Sequence, residues 1–145
     1  MWWSDQEKYE KKMRLTSIQV AIDDKLNWIS RLRVAFNGEW CEWRETGPRG
    51  TATSGDNPVE QPPLHIRPEE TIVGATTYTY RNYGCLTSFE ARLNSGRQQF
   101  WGSTKTEGRA KMKTITKRPL AYLSGGKTGG FYQLTFHWED SAPCS

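Results

Sequence analysis

Three stretches of this chain repeat one design: an alternating apolar and polar run, a short polar or glycine-rich turn, and a second alternating run. They read SIQVAIDDKLNWISRLRVAF (Ser17 to Phe36), TIVGATTYTYRNYGCLTSFEARL (Thr71 to Leu93) and PLAYLSGGKTGGFYQLTFHW (Pro119 to Trp138). A period of two sends successive side chains to opposite faces of a sheet, so each stretch predicts a hairpin with one face for a core. Three such units at similar spacing predict an all-β body with approximate threefold symmetry and recognition loops at its turns. In the third unit Leu134, Phe136 and Trp138 point one way, and Gln133, Thr135 and His137 the other. The expected core includes Val20, Val34, Leu93, Leu134 and Phe136.

At 145 residues the chain suits one domain, long enough to bury about two-thirds of its unfolded surface. Only 35% of it is hydrophobic, but 7 Trp, 6 Tyr and 5 Phe enlarge the apolar area that each buried position supplies. That favours sheets around a thin aromatic core over a helix bundle. The net charge of +4 allows anionic partners without requiring one. No run reaches the length of a membrane-spanning helix, and MWWSDQEKYEKK lacks an apolar leader core. The expected location is extracellular, with any leader already removed; the cytoplasm is the alternative. Cys41, Cys85 and Cys144 are an odd set, which excludes full pairing and leaves one disulfide or three free thiols open. Their spacing matches no metal site, and no motif calls for a cofactor.

Residues 1–14 read as a polar arm or short helix, 15–140 as the domain and 141–145 as a tail. Arg31 and Arg33 lie on the face opposite Leu32 and Val34, so that face is expected to be wet. Asn37-Gly38 is a hairpin turn leading into an aromatic strand, Trp40 to Trp43. Gly47 to Pro63, rich in glycine and proline, reads as the longest loop. Gly102 to Pro119 sets six basic residues against one acid, Glu107. Lys105, Arg109, Lys111, Lys113, Lys117 and Arg118 are therefore the candidate polyanion contacts, for sulfated glycans or anionic surfaces. Residues 109, 111 and 113 would share one face of a strand. No aromatics interleave with these charges, which argues against specific nucleic-acid binding.

The run Ser124-Gly125-Gly126-Lys127-Thr128-Gly129-Gly130 contains Gly-Lys-Thr, yet it is no phosphate cradle. Ala121 stands where that motif needs glycine, and a strand follows where a helix is needed. Two readings remain: a plain hairpin turn, or a sugar loop whose bare backbone approaches a ligand beside the aromatic faces of Phe131 and Tyr132. His65 and His137 are the only histidines, and neither sits in a catalytic signature. Asp23-Asp24 fits a backbone-capping turn. No catalytic constellation is present.

The Pro68-Glu69-Glu70 turn, the Asn94-Ser95-Gly96-Arg97 turn and the closing hairpin YLSG…LTFHW, in that order, resemble the jacalin-related lectins, and most of all their animal zymogen-granule type. The resemblance spans Leu15 to Glu139. It implies a β-prism of three Greek-key sheets that binds glycans or glycoproteins reversibly at one apex, without enzymatic activity. Carried across, the binding loop falls on Gly129, Gly130, Phe131 and Tyr132, and a stacking aromatic on Tyr83. The family's sugar-binding aspartate corresponds here to Tyr132 or Gln133, and the equivalent slots of the other units hold Ser30 and Thr87. The family's glycine-rich first strand has no counterpart ahead of Leu15, so either the chain is a piece of a larger protein or the prism is completed differently. Self-association is left open. The alternative function is a targeting or structural prism of a larger secreted protein or toxin that has lost simple-sugar binding and holds polyanions instead.

Overall fold

A computed structural model of the chain describes residues 2–23, 28–47, 58–81, 84–105, 107–128 and 131–139. In chain order its elements are β1 (Trp2–Ser4), α1 (Gln6–Glu10), β2 (Leu15–Asp23), β3 (Trp28–Phe36), β4 (Glu39–Trp40) and β5 (Arg44–Glu45). There follow β6 (Pro58–Glu60), β7 (Leu64–His65), β8 (Ile72–Thr79), β9 (Leu86–Leu93), β10 (Gln98–Gly102) and β11 (Ala110–Ile115). The last pair is β12 (Leu120–Thr128) and β13 (Phe131–Trp138).

These strands form three antiparallel sheets, each built on one of the repeated hairpins. In the first, β2 and β3 are central, with β4 and β5 beside β3 and β6 and β7 beside β2. The second runs β10-β9-β8-β11 and the third β1-β12-β13. The second sheet is a Greek key, because its fourth strand returns to lie beside its first. The first sheet repeats that order with both outer strands broken in two. In the third, β1 takes the fourth-strand place beside β12, with Trp2, Trp3 and Ser4 opposite Gly126, Gly125 and Ser124. The architecture is a β-prism with approximate threefold symmetry.

The alternation read from the sequence sets the core. Ile18, Val20, Leu32, Val34 and Phe36 of the first sheet meet Phe89, Ala91, Leu93 and Trp101 of the second and Leu120 and Leu123 of the third. Phe89 links two sheets, its ring centroid 5.3 Å from Trp101 and 5.4 Å from Phe136. Val20, Val34 and Leu93 are buried as expected, while Leu134 and Phe136 pack against the core only half-buried. Asn37 and Gly38 make the expected turn, with φ of 51° and 82°.

Several local expectations are corrected. Ser124 to Thr128 is strand, not loop. A Cβ on Gly125 would lie 2.6 Å from the Gln133 carbonyl and 3.0 Å from the Trp3 ring, so this glycine lets Trp3 lie against the sheet. The segment ahead of Leu15 is therefore no loose arm, and the short helix expected there is α1. It supplies β1, and Asp5, 2% exposed, meets Arg44 at 3.1 Å. Burial pushes the Asp5 carboxyl above its ordinary range, against the opposing pull of Arg44. The face of Arg31 and Arg33 is half-covered instead of freely wet. The Arg33 guanidinium stacks over Trp40 at 4.4 Å and Trp43 at 4.6 Å, and Arg31 over Trp43 at 5.7 Å. The aromatic strand expected over Trp40 to Trp43 ends at Trp40, and the second half of the Gly47–Pro63 loop contains β6. Asp23 is the buried last residue of β2, and Asp24 lies outside the described residues. Cys41 and Cys85 are free thiols; Cys144 lies outside the described residues.

Candidate functional site

One end of the prism gathers the ends of the three hairpins. Trp28, at the start of β3, sets its ring edge-on to Tyr80 at 5.9 Å, just past β8. The chain then turns tightly, Tyr80 N–H donating to the Cys85 carbonyl and Gly84 N–H to the Tyr80 carbonyl. Gly84 is held at φ +67°, and a Cβ there would sit 2.2 Å from the Tyr132 carbonyl and 2.7 Å from the Phe131 ring. The turn of the second unit is thus pressed directly onto the first residues of β13. Of the sequence-derived sugar contacts, Phe131 is here and 41% exposed, and Gln133 is exposed beside it. Tyr132 is buried, with the Lys127 ammonium 5.2 Å from its ring centre, so its side chain mainly supports the loop. Gly129, Gly130 and Tyr83 lie outside the described residues.

Beside this junction opens a cleft of about 350 Å³ between the edges of the second and third sheets. Its wall includes Phe131 and Gln133, the threonines 46, 77, 79 and 135, and the apolar Met112 and Leu134. Hydroxyls and an amide beside an aromatic face can hold a polyhydroxylated ring by hydrogen bonding and stacking. The described lining holds one cation, Lys111, and no carboxylate. The threonines are not legible in the sequence because they come from distant parts of it: Thr46 just past β5, Thr77 and Thr79 in β8, and Thr135 in β13. Only the Thr76-Thr77-Tyr78-Thr79 run, polar where alternation calls for apolar residues, hinted at them.

The slots equivalent to the family's aspartate are structural in the other two units. Ser30 is buried and donates to the Ala21 carbonyl at 3.3 Å; Thr87 is buried and donates to the Tyr78 carbonyl at 2.9 Å. Two serine–histidine contacts occur, Ser17–His65 at 2.8 Å and Ser124–His137 at 2.7 Å, and neither pair lines the cleft.

The basic segment is an edge strand with flanking turns. Lys111 and Lys113 are exposed on one face of β11, opposite Tyr78 and Thr76 of β8. Arg109 does not join them freely, since its guanidinium lies 4.0 Å over the Tyr80 ring. Lys105 precedes the strand and Lys117 and Arg118 follow it, all exposed, so the charges form a stripe rather than a pocket.

No protein-family model matches the sequence, and no curated protein does so. Solved structures do. A prostate-specific WGA16 glycoprotein lectin is 19% identical, with 96% of this chain and 88% of that one covered at a TM-score of 0.67. Calsepa lectin, in complex with a bisected glycan, is 13% identical, with coverage of 97% and 89% and a TM-score of 0.66. Jacalin, in complex with melibiose, is 15% identical, with coverage of 86% and 91% and a TM-score of 0.63. These likenesses show the fold, the β-prism of the jacalin-type lectins.

Proposed function

We propose that this domain is a non-enzymatic carbohydrate-recognition module that binds glycans or glycoproteins where Gly84 meets Phe131. The observation that carries the reading is that contact, which joins the turns of two units beside a hydroxyl-lined cleft on a lectin fold. An extracellular setting belongs to the same proposal. With no carboxylate in the described lining, the site favours extended glycans over free monosaccharides. A glycan array probed with the purified domain tests this. Phe131→Ala, at an exposed position, should weaken the best array ligand about tenfold while the fold persists. Silence of the parent across the array, or unchanged binding by the variant, would count against the site.

The stripe on β11 favours a second reading, binding of sulfated glycans or other polyanions. Attraction of this kind needs charge density more than fixed geometry, and it is screened over about 10 Å at 0.1 M salt. Lys111→Glu with Lys113→Glu should elute from a heparin column at clearly lower salt than the parent. Equal elution would reduce the stripe to a protected sheet edge.

A further inference from the structure

The first residues of β2, β8 and β12 are Leu15, Ile72 and Leu120, one from each sheet and equivalent under the approximate threefold symmetry. They stand at the end of the prism away from the hairpin turns, and beside them opens a second cavity, of about 560 Å³. That volume is within the span of small-molecule sites, roughly 300–1,000 Å³. The cavity shares no lining residue with the glycan cleft. Its floor is apolar. Leu15, Ile66, Ile72, Leu120 and Ala121 are each 2–8% exposed, with Met13 half-buried beside them.

The N-terminal segment builds much of the remaining wall. Lys12 takes a left-handed backbone, φ 59°, uncommon for a residue with a Cβ, and the Met13 N–H donates back to the Lys8 carbonyl. This turn ends α1 and brings Tyr9, Glu10, Lys12 and Arg14 to the cavity. Arg14 is fixed in place, its guanidinium donating to the Arg67 and Glu70 carbonyls at 2.5 and 2.7 Å. Glu139, just past β13, completes the wall.

The charges of this wall balance in number without meeting one another. Glu70 is neutralised by Arg97. Among the described residues, Glu10, Lys12, Arg14 and Glu139 have no ion-pair partner. Two cations and two carboxylates therefore border an apolar floor. A ligand of one sign is drawn to one pair and repelled by the other, whereas a ligand carrying both signs satisfies both. The two halves also differ in kind. The oriented Arg14 guanidinium suits a phosphate, and Tyr9, 37% exposed and preceding Glu10, offers an aromatic ring to an ammonium.

We propose that this cavity is a second ligand site, taking one single-chain amphiphile whose head carries both a phosphate and a quaternary ammonium. The phosphate lies with Lys12 and Arg14, the ammonium with Tyr9, Glu10 and Glu139, and the chain on the floor of Leu15, Ile72 and Leu120. The site lies at the opposite end from the glycan cleft and does not depend on the glycan reading, so both can be filled at once.

Calorimetry and methyl chemical shifts of the intact chain, with dodecylphosphocholine kept below its micelle concentration, test the site. Two further probes separate its parts: phosphocholine, which lacks the chain, and octaethylene glycol dodecyl ether, which lacks the charges. The expected result is saturable binding of dodecylphosphocholine, at least about tenfold tighter than either probe, with shifts at Met13, Ile66 and Ile72. Lys12→Glu and Glu139→Lys reverse rim charges without touching the floor, and each should weaken binding about fivefold at an unchanged melting midpoint. Absence of binding below the micelle concentration overturns the proposal, as do shifts centred on Leu134 in the glycan cleft. Equal binding of the uncharged detergent, or indifference to both charge reversals, overturns it as well.

Discussion

Gly84→Ala should lower the thermal midpoint by on the order of 10 °C and remove glycan binding with it. Two costs combine at this position. A left-handed backbone with φ of +67° burdens any Cβ-bearing residue by about 1–2 kcal/mol. The added methyl would also sit 2.2 Å from the Tyr132 carbonyl, and backbone cannot swing aside as a long side chain can. Overpacking of this kind costs a further 1–3 kcal/mol, roughly. Gly38→Ala separates the two costs, because Gly38 has φ of +82° and open space around the missing Cβ. It should show the backbone cost alone, about 1 kcal/mol. Thermal melts of both variants decide the matter. If they fall equally, the turn yields easily and does not fix the position of Phe131.

Removal of the Arg97 side chain should bring the other large loss, at the opposite end of the second sheet. Glu70 is 1% exposed, and its carboxylate accepts from Arg97 Nε at 2.9 Å, from the other Arg97 fork at 2.5 Å and from the Arg67 N–H at 3.0 Å. The Ser95 hydroxyl donates to it as well. These bonds lock the turn entering β8 to the turn between β9 and β10, with Thr71 and Asn94 paired alongside. Arg97→Ala strands a buried carboxylate, so the melting midpoint should drop by many degrees; Glu70→Gln should lose less, since an amide still fills the space. The Arg97 and Ser95 bonds hold the Glu70 carboxyl well below the ordinary carboxylate range. Between that depressed value and the ordinary 4.5, the unfolded chain binds more protons than the folded one, so stability rises with pH. The contribution is fully present above pH 4.5 and is lost on acidification below it. Denaturant titrations should therefore show a steeper acid loss for the parent than for Glu70→Gln. Parallel curves would mean that Glu70 is not the responsible group.

Long period-two runs were legible because strands of eight or nine residues, such as β2, β3, β9 and β13, contain enough turns of the pattern to identify their inner face. Short strands were not. Trp2–Ser4 is too brief to show a period, and what makes it a strand lies 122 positions away in Gly125, whose missing side chain admits Trp3. The same glycines resembled a loop because they carry no alternating side chains. Arg31 and Arg33 seemed solvated because nothing local reveals that Trp40 and Trp43 fold back over them. At the candidate site, Phe131 was legible through the resemblance and the aromatic run. The cleft was not, since its threonines converge only once three sheets close around the core.

The placement of β1 beside β12 has a consequence for the order of events in folding. Each hairpin pairs residues near in sequence and can form early, but the third sheet needs the two extremes of the described chain to meet. Closing so long a loop carries a large entropic penalty before any contact rewards it. The nucleus should therefore reside in the β2–β3 and β8–β9 hairpins. Docking of Trp2 and Trp3 is then a late step, and the N-terminal strand the first piece to detach when the native protein transiently opens.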